Sequence, residues 1–428
     1  MNKVGLALAI SIIVSVFNIA KADDESQTEM RLNPEIEESQ NKAKESYPFL
    51  KLDANRIEMN GDDWSDLAAR FAAARDSDHT FSLVYLGDSH VQADFGGAVL
   101  RSRMTNAAGS AGRGLIIPFK LAGTNQPADY GVHLHSAFLS AKLLKMPWAV
   151  EMPFTGIGIQ PTTSRPRFEV WAEEPFNQIR LHYRGEAPKV FGTRDLSLSK
   201  SVDFTATDSL ITLSRPTHKA LIEFENASKT IFGGFELLNG KNGVLVHSIG
   251  NNGATYSSYA NIDHFGTQLT AMNPDLVVIA LGTNEAFGNI SEETLENDID
   301  NLIDAIRRHN PTAHFLLVAP TECYRRTYRR RKGRRRVSGT VVNTKVARIR
   351  NVIKRYADDN GIPFYDTYTI AGGAGAAAKM KNSKILGTDG VHFTAGGYRL
   401  WGSLLADAII SQLNNHTQPS SNQESALE

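Results

Sequence analysis

Phe81-Ser82-Leu83-Val84-Tyr85-Leu86-Gly87-Asp88-Ser89-His90 is a largely apolar run that ends, without a break, in a glycine, an acid, a serine and a histidine. An apolar pattern that is continuous rather than alternating suits a strand of a parallel sheet covered on both faces. Three more runs share that character: Val244-Leu245-Val246-His247-Ser248-Ile249, Leu276-Val277-Val278-Ile279-Ala280-Leu281 and Phe315-Leu316-Leu317-Val318-Ala319. Helical stripes accompany them. Trp64, Leu67, Ala68 and Phe71 mark a helix over 63–75, and Leu295, Ile299, Leu302, Ile303 and Ile306 mark another. Val342, Val346, Ile349, Val352, Ile353 and Tyr356 form a third stripe, and Leu400, Leu404, Leu405, Ile409 and Leu413 lie on a final helix over 394–413. Strands alternating with helices predict an α/β fold built from right-handed crossovers.

The stretch 135–240 breaks that rhythm. Residues 168–171, 179–183, 209–213 and 220–224 are short strand-like runs separated by turn residues, with no helical stripe between them. They predict an inserted β-sandwich or jelly-roll domain. Its aromatic residues Trp171, Phe176 and Tyr183 read as core rather than as glycan contacts. The expected organisation is then a signal peptide at 1–22, a lead-in with a helix at 23–78, the first part of the α/β domain at 79–134, the insert at 135–240, the second part at 241–413 and a disordered tail at 414–428.

The first segment is read from Lys3, the apolar stretch Val4 to Ile19 and the small-x-small site Ala20-Lys21-Ala22, the pattern of a cleaved secretory signal. It predicts a periplasmic or secreted protein. Cys323 is the only cysteine among 428 residues, so no intramolecular disulfide exists, and it reads as structural. Lys+Arg and Asp+Glu both total 46, so overall charge selects no partner. The local distribution does: residues 325–336 hold nine cations in twelve positions. Such a block is normally solvated. It reads either as a flexible loop without a specific ligand or as a contact for an anionic polymer or membrane surface, made by Arg329, Arg330, Arg331, Arg334 and Arg335. Behind an export signal, nucleic acid is not expected.

Ser89, at the carboxyl end of a buried strand, is the candidate nucleophile, and a serine hydroxyl needs an adjacent base. About 300 residues further on, Asp389-Gly390-Val391-His392 supplies that base and an acid to orient it, in a loop that Thr394 is expected to close by capping the last helix. Ile249-Gly250-Asn251-Asn252-Gly253 and Leu281-Gly282-Thr283-Asn284-Glu285 also follow strands, at the edge where α/β sheets bind ligands. The N–H groups of Ser89 and Gly253 and the Asn284 amide are the expected oxyanion donors. No metal or other cofactor is called for.

Gly87-Asp88-Ser89, Gly253, Gly282-x-Asn284 and Asp389-x-x-His392, in that order, resemble the four blocks of the SGNH (GDSL-type) hydrolase superfamily. The resemblance spans about 80–120 and 240–413. It implies a flavodoxin-like three-layer α/β/α domain, catalytic Ser89, Asp389 and His392, and oxyanion donors Ser89, Gly253 and Asn284. Glu285 departs from the family, which often has Asp there, and little effect is expected. The longer first block Gly87-Asp88-Ser89-His90-Val91-Gln92-Ala93-Asp94, with Ala111-Gly112-Arg113-Gly114 and Gly123-Thr124-Asn125, is similar to bacterial peptidoglycan O-acetylesterases, which carry a carbohydrate-binding-module-like insert. This implies an exported serine esterase acting on O-acetylated peptidoglycan or a related polysaccharide. Two alternatives stay open: an O-acetyltransferase using the same site, and a non-catalytic wall-binding protein.

Overall fold

The computed structural model describes residues 42–43, 45–329 and 337–415. The expected signal peptide and residues 416–428 of the expected tail lie outside these residues; Asn414 and Asn415, placed in that tail, are instead the last residues of the final helix. Five parallel strands form the central sheet: β1 (Thr80–Gly87), β2 (Gly243–Gly250), β3 (Leu276–Ala280), β4 (His314–Val318) and β5 (Phe364–Tyr365). They run in the order β2-β1-β3-β4-β5, with the short strand Ile57–Glu58 antiparallel on the outer side of β5. The four apolar runs become β1 to β4. Strand β5 and Ile57–Glu58 have two residues each, too few to show a pattern.

Sheet order reverses between β1 and β3, so the crossovers leave a crevice at the carboxyl edge there. Register puts the strand ends level: Gly87 lies opposite Gly250 on one side and Ala280 on the other. The loops that follow β1, β2 and β3 therefore open at one place.

Side chains alternate between two cores. Phe81, Leu83, Val244, Val246, Leu276 and Val278 face α1 (Ser65–Arg75), α2 (Phe95–Ala108) and, at the other end of the chain, Leu404, Leu405 and Ile409 of the helix Ala395–Asn415. Val84, Leu86, Ile249, Val277 and Ile279 face α3 (Glu292–Arg307) and α4 (Lys345–Asp359); the last long helix is α5 (Ala395–Asn415). All five apolar residues expected on α3 are buried, each contributing roughly 1.5–3 kcal/mol of transfer free energy. Val342 does not extend the α4 stripe: it ends a strand, and the helix begins at Lys345. Thr394 does cap α5, its hydroxyl accepting from Gly397 N at 3.1 Å.

The middle of the chain forms one continuous ten-stranded antiparallel sheet instead of two separate ones. The runs expected at 168–171 and 179–183 are parts of a single strand, Arg167–Gly185, and those at 209–213 and 220–224 are parts of Leu210–Glu225. The pairing of these two long strands shifts register between Thr212 and Lys219, around Pro216. A proline in a strand belongs at such a bulge, where no ladder N–H is needed, so the residues read as breaks are bends. The sheet also begins ahead of residue 135: Gly114–Ile116 pairs with 235–237, and Tyr130–Leu134 pairs with 168–172. Gly131 hid the second strand. It has no side chain because a Cβ there would lie 2.1 Å from Trp171 Nε1. Phe176 is buried and Tyr183 packs against the core, as their reading as core residues requires, whereas Trp171 is only partly buried, over Gly131. The interior of this sheet is continuous with the core on the α3–α4 face.

Candidate active site

β1 ends at a position that only glycine fits, since a Cβ on Gly87 would lie 2.4 Å from Val91 Cγ2 and 2.8 Å from Ala280 O. The chain turns at once into the one-turn helix Ser89–Gln92, which Asp88 caps by accepting from His90 N at 2.8 Å. This corner aims the Ser89 hydroxyl out of the sheet. Ser89 Oγ lies 2.8 Å from His392 Nε2, and His392 Nδ1 lies 2.7 Å from Asp389 Oδ2. The other Asp389 oxygen accepts from Val391 N at 2.9 Å and His392 N at 3.0 Å. Partial burial pushes the Asp389 carboxyl up, but the hydrogen bonds from His392 and those two backbone groups outweigh it and hold it below its ordinary value. An ionised Asp389 fixes the Nδ1–H tautomer, which leaves Nε2 able to take the serine proton.

Gly253 and Asn284 stand on the other side of the serine, in a cleft of about 520 Å³ that Ser89, Asn125, Asn252, Asn284 and His392 also line. Gly253 has φ +86°, a left-handed conformation that suits glycine. The Asn284 amide donates to Ala254 O at 2.9 Å and to Asp88 Oδ2 at 3.1 Å, so an oxyanion would share or replace one of these bonds. Burial lifts the Asp88 carboxyl above its ordinary range, against the pull of His90 and His392.

The five residues expected to carry chemistry are thus together. The basic cluster is described only in part. Tyr324–Arg329 pairs with Val337–Val342 as a two-stranded hairpin, and Tyr324 N donates to Gly390 O at 2.7 Å, which roots the hairpin beside the Asp389–His392 loop. Arg329 ends the first strand; Arg330, Arg331, Arg334 and Arg335 lie outside the described residues. Cys323 is buried, and burial pushes its thiol up to about 12, which suits a structural role. Among the described residues no group of three or more His, Cys, Asp or Glu side chains is placed to hold a metal ion, and no helix is long and apolar enough to cross a membrane.

Several residues to which the sequence assigned no role hold the site in shape. Gln92, only 2 % exposed, donates to Thr124 Oγ1 and Asn125 Oδ1 at 2.9 Å and accepts from Asn252 N at 2.7 Å. It ties the serine helix to the glycine loop. Tyr259 Oη donates to Gly87 O at 2.6 Å, below the same loop. His90 packs against the His392, Phe393 and Tyr398 rings, and burial lowers its pKa, which favours a neutral imidazole behind the base. Asp94 accepts from Ser248 Oγ at 2.5 Å and from Arg101 and Arg113 at 2.8 Å each, so the end of the first block is a scaffold. Glu285 accepts from Tyr256 N at 2.9 Å, at the start of the helix that follows Gly253. Burial raises its carboxyl to about 7. The only sign of these roles in the sequence was that the residues stand within or next to the motifs.

Residues 232–400 match the GDSL-like lipase/acylhydrolase family model. Among solved structures, a peptidoglycan O-acetylesterase superposes with a TM-score of 0.67 at 21 % identity, over 84 % of this chain and 99 % of that one. At that identity the likeness establishes the fold. A lipase/acylhydrolase from Enterococcus faecalis (23 % identity, 40 % and 77 % of the two chains) and a family two carbohydrate esterase from Clostridium thermocellum (13 %, 65 % and 99 %) both have TM-scores of 0.29, too low to carry an argument. Comparison with curated proteins gives no match.

Proposed function

We propose that this chain, whose residues 232–400 match the GDSL-like lipase/acylhydrolase family model, is a carboxylic ester hydrolase of the SGNH superfamily that removes O-acetyl groups from a cell-wall glycan, with peptidoglycan as the substrate. The observation that carries the mechanism is the unbroken relay Ser89–His392–Asp389, with contacts of 2.8 and 2.7 Å, assembled from motifs at opposite ends of the domain.

His392 Nε2 takes the Ser89 proton as the oxygen attacks the acetyl carbonyl. Charge on the carbonyl oxygen is met by the N–H groups of Ser89 and Gly253 and by the Asn284 amide. Collapse breaks the bond to the sugar oxygen, which takes the proton from His392 and leaves as a hydroxyl, and the acetyl group remains esterified to Ser89. Water then attacks the acetyl carbonyl while His392 takes its proton, and His392 returns that proton to the Ser89 oxygen as acetate departs. The sheet order and its two cores support reading the catalytic part as a flavodoxin-like three-layer domain, with the antiparallel sheet as an inserted glycan-facing module. An exported protein meets this substrate, and the amino-terminal pattern supports export. The hairpin rooted at Gly390 supports a polymer contact by the arginines beyond Tyr324.

The test is acetate release from purified O-acetylated peptidoglycan, beside release from other acetylated polysaccharides. Ser89→Ala is expected to lower the rate by roughly 10⁴-fold or more. Release that survives that change would overturn the mechanism. Dominant transfer of acetyl to added chito-oligosaccharide, rather than to water, would overturn hydrolysis.

A further inference from the structure

A second cavity of about 250 Å³ adjoins the catalytic cleft and shares Asn252 with it. Its walls come from both parts of the chain. Gln92, Asn251 and Asn252 belong to the catalytic loops, whereas Lys142 ends the strand Phe138–Lys142 and Leu144 and Lys145 belong to the connection from it to the antiparallel strand Ile157–Pro161. That connection reaches the oxyanion region: a Cβ placed on Gly253 would lie 3.8 Å from Leu144 Cγ. Lys142 Nζ is anchored over Gly123 O at 3.4 Å, directly before Thr124 and Asn125. Asn125 lines the catalytic cleft itself, so the two spaces meet along one edge.

The chemistry of the walls is one-sided. Two ammonium groups and several amides line the cavity with no carboxylate, on a chain whose formal charge is balanced. Neither lysine is in an ion pair among the described residues. A lone surface lysine is normally just solvated. Two lysines lining one cavity, one of them bonded to the Gly123 carbonyl, offer an anion a place next to the catalytic cleft. Leu143, Leu144 and Ile157 add an apolar surface suited to the face of a sugar.

We propose that this cavity is a substrate subsite in which Lys142 and Lys145 bind a carboxylate carried on the same polymer as the acetyl ester, so that the enzyme selects acidic over neutral acetylated glycans. The proposal rests on the esterase reading above and deepens it. Leu144 and the two lysines make the inserted sheet part of the specificity machinery.

The test compares a neutral O-acetylated chito-oligosaccharide with the same oligosaccharide bearing a carboxylate. The carboxylate sits on the sugar in one arm and on a peptide branch in the other, which identifies its source. For the unchanged protein, kcat/KM should favour at least one acidic substrate, and the preference should shrink as salt rises. In K142Q/K145Q the acidic-to-neutral ratio should fall about tenfold, as expected for loss of charge-assisted hydrogen bonds, and its salt dependence should flatten. K142R/K145R, which keeps both charges, should retain the preference. An unchanged ratio in K142Q/K145Q, or an equal fall on both substrates, would overturn the subsite. Ser89→Ala separates the two readings: activity remaining on both substrates defeats the esterase mechanism, whereas activity lost on both, with the lysine ratio unmoved, defeats only the subsite.

Discussion

Asp389 uses each carboxylate oxygen for a different purpose: one holds His392 Nδ1, and the other ties down the backbone of the loop that carries the histidine. Asp389→Asn keeps an oxygen for the backbone but turns an NH₂ toward Nδ1. The ring then carries its proton on Nε2 and cannot accept from Ser89, so kcat should fall by roughly 10⁴, measured on an activated acetate ester with thermal unfolding as the control for fold. Near-normal turnover would remove Asp389 from the relay. Asn284→Ala should lower kcat by about 10²–10³ if the amide meets the oxyanion. Glu285 has a separate consequence. Burial is the main cause that raises its carboxyl from an ordinary 4.5 to about 7, so the folded state retains a proton that the unfolded state gives up between those values. Its contribution to stability is complete below pH 4.5 and declines as pH rises to about 7. Glu285→Gln keeps the acceptor for Tyr256 N and removes the buried charge. The variant should melt at a higher temperature than the parent at pH 8 and show little difference at pH 5; no gain at pH 8 would show that the carboxylate is already accommodated there. Ser89, Asp389 and His392 were legible because their chemistry sits in short contiguous motifs. What Glu285 does was not, because a sequence shows a changed residue but not that it is sealed under a helix end.

Between elements, the site depends on how firmly the loops after β1 and β2 are held together. The helix Ser89–Gln92 and the glycine loop are joined by Gln92, which spans to Asn252 on one side and to Thr124 and Asn125 on the other. Gln92→Ala breaks all these bonds without touching the relay. A displacement of about 1 Å in the Gly253 loop would cost roughly 10²-fold in kcat. The prediction is a fall in kcat on a small activated ester, larger than any change in KM, while Ser89 still reacts with a covalent serine-directed probe. A variant with full kcat would make Gln92 a packing residue only. The same scale decides how much of the fold could be read. Long buried strands and the α3 stripe carry their pattern within one element, so β1 to β4 and α3 were readable. The two-residue β5, the strand Tyr130–Leu134 and the bends around Pro216 exist because of their partners, and pairing across tens of residues leaves no local periodicity. That is also why the antiparallel region read as separate short strands when Arg167–Gly185 is one.

Across the whole molecule, the parallel sheet and the antiparallel sheet share a core, and a small group of ionisable side chains is sealed where they meet. His247 of β2 is fully buried and accepts from Leu115 N through Nδ1 at 3.2 Å, which requires a neutral ring. Glu236, from the antiparallel sheet, lies between His247, His182 and Arg180. Burial pushes the His247 ring down to about 4, overcoming the opposing pull of Glu236. Burial also works against the Glu236 carboxylate, but the hydrogen bond from His182 and the Arg180 guanidinium, 2.8 Å away, outweigh it and hold it at about 2. The two shifts have the same sign in stability. The unfolded chain binds a proton on His247 that the folded one refuses between about pH 6.5 and 4, and on Glu236 between about 4.5 and 2. Each contribution is therefore whole above the unfolded value and is lost as pH falls through the window. Melting temperature should decline from pH 7 toward pH 4, with His247 responsible for the upper part of that range. His247→Gln keeps an oxygen that can accept from Leu115 N but cannot titrate; it should flatten the decline between pH 6.5 and 4.5, whatever it costs at pH 7. An equal slope in the variant and the parent would place the acid sensitivity elsewhere. A slope that flattens would identify this junction, where the inserted sheet is fastened to the catalytic one, as the first part of the molecule to yield to acid.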